Sequence, residues 1–140
     1  MIPVVIAIIQ NYKNQLLITQ RPPGKYKPGL WEFPGGKIEA QESPFIALKR
    51  ELYEELGITV LMAHSWIQHQ HDYGDRVISL DTWIVTQFSG YLHGKENQAY
   101  QWITADQLPQ FEFPEGNKFI LDSLFSKREN SCHPEPRFLR

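Results

Sequence analysis

Residues 36–58 read GKIEAQESPFIALKRELYEELGI, a segment with clear signals for the start and the end of a helix. Ser43 and Pro44 predict a helix start, because serine caps a helix N-terminus well and proline suits the first helical position. Gly57 predicts the helix end, since glycine readily adopts the left-handed conformation that follows a helix. At about 100° per residue, the large apolar residues of the segment fall on one stripe, formed by Phe45, Leu48, Leu52 and Leu56. The segment therefore predicts an amphipathic helix over residues 43–56 that packs against a sheet.

Three glutamates, Glu51, Glu54 and Glu55, lie beside this stripe within an arc of about 100°. Glu55 is nearest to the apolar edge, so we expect it to be the most enclosed of the three. Solvated surface charges are the ordinary interpretation of such residues. However, like charges at this spacing destabilise a helix, and no lysine stands four residues away to compensate them. A divalent cation would resolve the repulsion, because Mg²⁺ is typically held by a few carboxylates, water and substrate phosphate. The pattern thus indicates phosphate chemistry.

The residues just before the helix extend this interpretation. Gly35 and Gly36 let the backbone approach a ligand or a metal closely, although a Gly-Gly pair alone would indicate an ordinary turn. Lys37 can reach a phosphate group. Glu42 has two interpretations, a pair with Arg50 or a place in the carboxylate cluster, and the sequence leaves both open.

The same stretch carries a family resemblance. Its residues match all nine defined positions of the Nudix box, and average residue usage makes such a match by chance roughly a one in 10⁹ event per window. The matching residues are Gly36, Glu42, Arg50, Glu51, Leu52, Glu54, Glu55, Gly57 and Ile58. Residues 31–39 (WEFPGGKIE), residues 94–96 (GKE) and the segment around Asn117 further resemble the bacterial MutT-like members. We therefore predict a Nudix hydrolase domain over residues 1–126 and a polar, frayed tail over residues 127–140.

The resemblance implies both the reaction and its metal. Nudix enzymes hydrolyse a nucleoside diphosphate linked to another group, and MutT-like members cut nucleoside triphosphates to a monophosphate and pyrophosphate. The implied cofactor is Mg²⁺, with Mn²⁺ as a substitute. Its implied ligands are the backbone carbonyl of Gly35 and the carboxylates of Glu51, Glu54, Glu55 and Glu96.

The implied catalytic residues are Arg50, Glu51, Glu54 and Glu96. Arg50 would orient a glutamate of the cluster. The glutamate that takes the proton of the attacking water differs across the family, so Glu51, Glu54 and Glu96 all stay open. Glu96 also has an ordinary alternative as a solvated loop residue.

The MutT-like resemblance further implies a preference for 8-oxoguanine nucleotides. Oxidation at C8 turns N7 of guanine from an acceptor into a donor, so an acceptor placed opposite N7 would select the oxidised base. Asn117 aligns with the base-reading asparagine of the group, and its alternative role is to cap the last helix. Arg21, Phe33, Lys37 and Arg76 are the other implied substrate-binding residues. Surface charge or core packing is the ordinary alternative for Arg21, Phe33 and Arg76.

Outside the box, the pattern predicts strands and a second helix. Residues 2–9 and 15–20 flank turn residues and indicate a β-hairpin, and residues 21–29 indicate a loop. Further strands are predicted over residues 30–34, 58–67, 77–88 and 101–103, with a turn at residues 73–76. A second helix is predicted over residues 117–125, with Phe119, Ile120 and Leu124 facing inward. The expected architecture is α/β (α+β), an α/β/α sandwich of the Nudix type with a mixed sheet between helices.

Composition limits the remaining classes. The chain has 140 residues, a net charge of −2 and one cysteine, which favours a single domain and disfavours duplex nucleic-acid binding or a disulfide framework. Residues 2–9 are too short to span a membrane. We expect a cytoplasmic monomer that acts on a nucleoside triphosphate. The alternatives are a Nudix hydrolase of another nucleotide (CTP or dCTP, a dinucleoside polyphosphate, a nucleotide sugar) and a silent nucleotide-binding regulatory module, which would have lost box glutamates.

Overall fold

The computed structural model describes residues 1–22, 29–94 and 98–129. In chain order, the strands are β1 (Ile2–Ile9), β2 (Leu16–Gln20), β3 (Trp31–Glu32), β4 (Gly35–Lys37), β5 (Thr59–Asp72), β6 (Val77–Ser89) and β7 (Tyr100–Ile103). Helix α1 covers Pro44–Leu56 and helix α2 covers Lys118–Glu129. Two short 3-10 segments, Ala105–Gln110 and Glu115–Asn117, precede α2. We call the second of these the Asn117 turn.

The strands form two sheets. The larger one has the order β4–β1–β6–β5, in which β1 runs parallel to β6 and antiparallel to β4. The smaller one has the order β3–β2–β7 and is antiparallel. The larger sheet is mixed and has a helix on each face, as the sequence predicts.

The predicted β1–β2 hairpin is wrong. Within the described residues, the two strands lie in different sheets, and β2 pairs with β3 and β7. An isolated antiparallel bridge joins Leu16 to Gln10, the residue that follows β1. Turn residues do join the strands, since Asn14 has a φ of 61° and its N–H bonds to the carbonyl of Asn11. Both strands are buried on both faces, so neither has the alternation that would identify its partner.

The side chains of β1 divide the core into two layers. Val5, Ala7 and Ile9 pack with Leu48, Leu52 and Leu56 of α1. Ile6 and Ile8 face the opposite way and pack with residues that include Ile84, Leu108, Ile120 and Leu124. Full burial of one such aliphatic side chain stabilises the fold by about 1.5–3 kcal/mol. The first layer packs α1 against one face of the sheet, and the second packs α2 against the other.

Helix α1 has the predicted ends. The Ser43 hydroxyl accepts a hydrogen bond from the N–H of Ile46 at 3.2 Å. Gly57 has a φ of 72°, and its N–H bonds to the carbonyl of Tyr53 at 3.0 Å. These local caps set where the helix begins and ends. The apolar stripe packed on β1 sets the direction in which its glutamates point.

Helix α2 and strand β5 are longer than predicted. α2 begins at Lys118 and continues past residue 125 to Glu129, because no helix breaker interrupts the polar residues there. Ile120 and Leu124 are buried, whereas Phe119 is only partly buried, with its ring against His69. β5 continues through polar residues to Asp72, which pairs with Val77. The predicted turn at residues 73–76 is confirmed by the bond from the Tyr73 N–H to the Arg76 carbonyl, at 2.8 Å. None of the helices in the described ranges has the length and apolar character that crossing a membrane requires.

Candidate active site

A cavity of about 500 Å³ lies between the larger sheet, α1 and the Asn117 turn. Apolar side chains of β1 and β6, among them Val4, Ile6 and Leu80, form part of its wall. The rest is polar. The cavity brings together almost all of the predicted site residues in the described ranges: Arg21, Phe33, Gly35, Lys37, Glu51, Glu54, Glu55, Arg76 and Asn117. Residue 96 lies outside the described residues.

The Gly35-Gly36 pair lets α1 approach β4 closely. A Cβ atom on Gly36 would lie 2.3 Å from the carboxylate carbon of Glu51. A Cβ on Gly35 would lie 2.0 Å from the carbonyl oxygen of Val5 on the paired strand. The Gly35 N–H donates a hydrogen bond to a carboxylate oxygen of Glu55 at 3.3 Å. The pair is therefore required by this packing and is more than a turn.

Arg50 organises the acidic face of α1. Its Nε and Nη2 atoms donate to the two carboxylate oxygens of Glu42, at 2.5 and 2.8 Å. Its Nη1 atom donates to Glu51 at 3.0 Å and to Glu54 at 3.2 Å. Nη2 also donates to the carbonyl of Lys37 at 3.0 Å, which joins α1 to β4. Of the two interpretations of Glu42, the structure shows the pair with Arg50.

These contacts shift the pKa values of both Glu42 and Arg50. The hydrogen bond from Arg50, helped by the N–H of Glu39, lowers the pKa of Glu42 to about 2. The hydrogen bond to Glu42 in turn raises the pKa of Arg50 above its ordinary value, against the opposing effect of burial. Both groups are thus charged throughout the physiological pH range. The charged Arg50 guanidinium can therefore donate hydrogen bonds to the carboxylates of Glu51 and Glu54.

The three glutamates of α1 differ in exposure, and Glu55 is the most enclosed of them, as predicted. Glu55 is 8% exposed, whereas the side chain of Glu54 is 51% exposed and Glu51 lies between them. No three acidic, histidine or cysteine side chains of the described residues are grouped closely enough to form a preorganised metal centre. Arg50 holds Glu51 and Glu54 in the positions that they adopt here.

The donor set nevertheless fits a hard divalent cation. Three carboxylates and a glycine backbone line one cavity, and oxygen ligands of this kind are those that Mg²⁺ prefers. The space that the missing Cβ of Gly36 leaves is filled by the Glu51 carboxylate, which brings it to the backbone of β4. Since Glu54 is half exposed, its carboxylate can turn from Arg50 toward a cation without repacking the core.

The opposite wall carries the predicted base-reading residue. Asn117 is 8% exposed, and its Oδ1 atom is buried without a hydrogen-bond donor among the described residues. Its side chain therefore does not cap α2, which was the alternative. Its backbone N–H bonds to the Pro114 carbonyl at 3.0 Å.

The other predicted substrate-binding residues have defined partners. The Phe33 ring is buried and packs on Phe113, with ring centroids 5.3 Å apart. Arg21 donates from Nε to a carboxylate oxygen of Glu32 at 3.0 Å. Arg76 lies over the ring of Tyr73, with 5.9 Å between its Cζ atom and the ring centroid.

Sequence reasoning missed several residues of this cavity, including Glu32, Tyr73, Gln98 and Pro114. Glu32 lies within residues 31–39, the stretch that carries the MutT-like resemblance, and this position was the available signal. Tyr73 was predicted only as part of a turn. Nothing in the local pattern around it indicates the cavity, because its contact Gly116 is 43 residues away in the chain.

The NUDIX domain profile matches residues 5–123, so the chain belongs to the NUDIX family, and it is a Nudix hydrolase. It is 38% identical over 128 residues to the CTP pyrophosphohydrolase of Escherichia coli K12, covering 91% of this chain and 94% of that protein. It is 36% identical over 129 residues to the 8-oxo-dGTP diphosphatase of Haemophilus influenzae, covering 92% of this chain and 95% of that protein.

Solved structures agree with this assignment. A structure from a study of MutT from Aliivibrio salmonicida and Vibrio cholerae has a TM-score of 0.80 and 38% identity, and covers 90% of this chain and 98% of that one. The solution structure of the E. coli ORF135 protein has a TM-score of 0.81 and 37% identity, and covers 97% of this chain and 95% of that one. Nudix hydrolases generally need a divalent metal, which accords with the donor set described above.

Proposed function

We propose that the chain hydrolyses 8-oxo-dGTP to 8-oxo-dGMP and pyrophosphate with Mg²⁺ as cofactor, and so removes oxidised guanine from the nucleotide pool. The observation that carries the proposal is that one cavity holds Glu51, Glu54 and Glu55 on one wall and the buried Oδ1 atom of Asn117 on another. Mn²⁺ would substitute for Mg²⁺. We further propose that the enzyme is cytoplasmic and monomeric and does not bind duplex nucleic acid.

The acidic wall would hold the metal and the triphosphate. Glu51, Glu54, Glu55 and the Gly35 carbonyl are its proposed ligands, joined by Glu96. When bound, the divalent ion supplies positive charge that stabilises the phosphate oxygens of the transition state. Lys37 would add positive charge at the edge of the same cavity.

Arg50 would keep the carboxylates in place during the reaction. Glu42 fixes the guanidinium through two hydrogen bonds, and the guanidinium holds Glu51 and Glu54. Water attacks a phosphorus atom, the bond between the α- and β-phosphates breaks, and one of Glu51, Glu54 and Glu96 accepts the proton of the water. Catalysis of this kind depends mainly on positioning and electrostatics.

Asn117 would read the oxidised base. Because its Oδ1 atom is a buried acceptor, the N7–H of 8-oxoguanine supplies the donor that the described residues do not. Unmodified guanine presents an acceptor at N7 and would leave Oδ1 unpaired, which costs about 1–3 kcal/mol. Phe33 would contact the base, and Arg21 and Arg76 would bind the substrate from neighbouring parts of the cavity.

A second candidate is hydrolysis of CTP or another pyrimidine triphosphate. It is favoured by the 38% identity to the E. coli CTP pyrophosphohydrolase. It would keep the metal chemistry and discard the role of Asn117 opposite N7. A silent nucleotide-binding module is disfavoured, because every glutamate of the box is present.

Steady-state hydrolysis separates these proposals. We would compare kcat/KM for 8-oxo-dGTP, dGTP, CTP, dCTP and the remaining common triphosphates with Mg²⁺. A preference for 8-oxo-dGTP over dGTP that arises mainly in KM supports the proposal. Equal values for the two purines, or a higher value for a pyrimidine, would overturn the 8-oxoguanine assignment, and no hydrolysis of any triphosphate would overturn the whole reaction.

A further inference from the structure

The Asn117 turn depends on a contact from a distant part of the chain. The turn has three residues, Glu115–Asn117, and its own backbone bond joins the Asn117 N–H to the Pro114 carbonyl. The N–H of Gly116 donates to the hydroxyl oxygen of Tyr73 at 2.9 Å. Tyr73 is 43 residues away, in the connection between β5 and β6.

The position of the Tyr73 side chain also explains why residue 116 is glycine. A Cβ atom on Gly116 would lie 2.4 Å from the Tyr73 hydroxyl oxygen and 3.2 Å from the ring carbon that carries it. The backbone does not demand glycine here, because Gly116 is not among the residues with positive φ. The hydroxyl of Tyr73 therefore occupies the volume that an alanine methyl group would need.

Tyr73 is itself held in place. Its ring meets the ring of His71 edge to face, with centroids 4.4 Å apart, and lies under the guanidinium of Arg76. Its backbone N–H bonds to the Arg76 carbonyl at 2.8 Å. Tyr73 lines the same cavity as Arg76 and Asn117, so its position affects both.

We infer that Tyr73 is a positioning residue for base recognition, which sets the place of Asn117 through the hydrogen bond to Gly116. This inference rests on the proposed function, since it assigns Asn117 to the base. The Oδ1 atom of Asn117 accepts no hydrogen bond from the described residues, so it receives no orientation from such a bond. Its position follows from the backbone of the turn, which Tyr73 anchors one residue earlier.

The test is a cycle of three variants, Y73F, G116A and Y73F/G116A. Y73F removes only the hydroxyl, so we expect KM for 8-oxo-dGTP to rise about 3- to 10-fold, equivalent to roughly one neutral hydrogen bond, with kcat within about twofold. G116A forces the turn away from Tyr73 and should raise KM further. In the double variant the 2.4 Å contact with the hydroxyl is gone and the contact with the ring carbon, at 3.2 Å, remains, so its KM should fall below that of G116A.

The controls distinguish positioning from a general loss of stability. Y12F removes a hydroxyl from an exposed tyrosine outside the cavity and should change neither KM nor kcat. Thermal unfolding of each variant shows that it is folded. Exchange of the Gly116 amide hydrogen, followed by NMR, should be faster in Y73F than in the wild-type chain, and this measurement needs no substrate.

The outcomes of the cycle are separable from those of the proposed function. If Asn117→Ala abolishes the preference for 8-oxo-dGTP while Y73F leaves KM unchanged, the inference about Tyr73 is overturned and the proposed function stands. An additive cycle, with the double variant no better than G116A, overturns it too. If CTP proves to be the best substrate, the same cycle is read on its KM, and an unchanged KM in Y73F again overturns the inference.

Discussion

Arg50 and Glu42 form a two-point ion pair that links the start of α1 to its acidic face, with N–O distances of 2.5 and 2.8 Å. The same guanidinium contacts Glu51 and Glu54, so it offsets the repulsion between these carboxylates. A cation that binds between the glutamates must therefore compete with Arg50 for their oxygen atoms. The Glu42 contact would keep Arg50 nearby during that exchange, so we expect a residue outside the proposed ligand set to affect the reaction.

Glu42→Gln should lower activity without unfolding the chain. The amide keeps the size of the side chain but loses the charge that fixes Arg50, so Glu51 and Glu54 lose part of their orientation. We expect kcat to fall about 10-fold, as is usual when the support of a metal ligand is weakened. Glu39→Gln is the matched control, because that carboxylate is exposed and lies 4.0 Å from Arg50. Equal kinetics for the two variants would contradict the role of Glu42.

The stability that Glu42 contributes should depend on pH in the acid range. Its pKa is lowered from an ordinary value of 4.5 to about 2 in the folded chain. A depressed carboxyl pKa stabilises the folded state fully above the ordinary value, and this contribution is lost as the pH falls toward the folded value. The difference in unfolding free energy between the wild type and Glu42→Gln should therefore be constant above 4.5 and shrink between 4.5 and about 2. Urea unfolding at several pH values measures this difference. A difference that stays constant through the acid range would refute it.

Removal of divalent metal should abolish hydrolysis, and Glu54→Gln should do nearly the same in its presence. EDTA treatment followed by return of Mg²⁺ or Mn²⁺ tests the first part. For the second, the amide loses a charged oxygen donor and a proton acceptor, and we expect kcat to fall by about 10²–10³. Because Glu54 is half exposed, the variant should keep the thermal stability of the wild type. A silent nucleotide-binding module would instead show little change beyond weaker metal binding.

Local signals explain what the sequence predicted well. The ends of α1 depend on Ser43, which bonds to the first turn of the helix, and on Gly57, which bonds to the last turn. Both ends were predicted correctly. The burial of Glu55 followed from its angle on the same helix. The relative placement of the glutamates therefore needed no knowledge of the sheet.

Non-local contacts explain what the sequence did not predict. Strand β2 pairs with β7, so Leu16 of β2 lies opposite Ile103 of β7, although the two residues are far apart in the chain. The hairpin interpretation was therefore wrong. Tyr73 contacts Gly116 across 43 residues, and neither residue carries a motif. Polar residues at the end of β5 resemble a loop in sequence, but they pair with the start of β6 and bring Tyr73 to the cavity.

Asn117→Ala should remove base discrimination while leaving α2 intact. Because Oδ1 is a buried acceptor, its loss should lower kcat/KM for 8-oxo-dGTP about 10- to 100-fold and affect dGTP less.

Asn117→Asp is the informative comparison, since it keeps an oxygen acceptor for N7–H and should retain more of the preference than alanine. If Asn117 capped α2, alanine would cost about 1 kcal/mol of stability. The absence of a helix N–H donor to Oδ1 among the described residues predicts a smaller loss, which thermal unfolding can measure. A variant with wild-type discrimination and lowered stability would therefore reverse the assignment, because it would make Asn117 a structural residue of α2 and leave N7 to be read elsewhere.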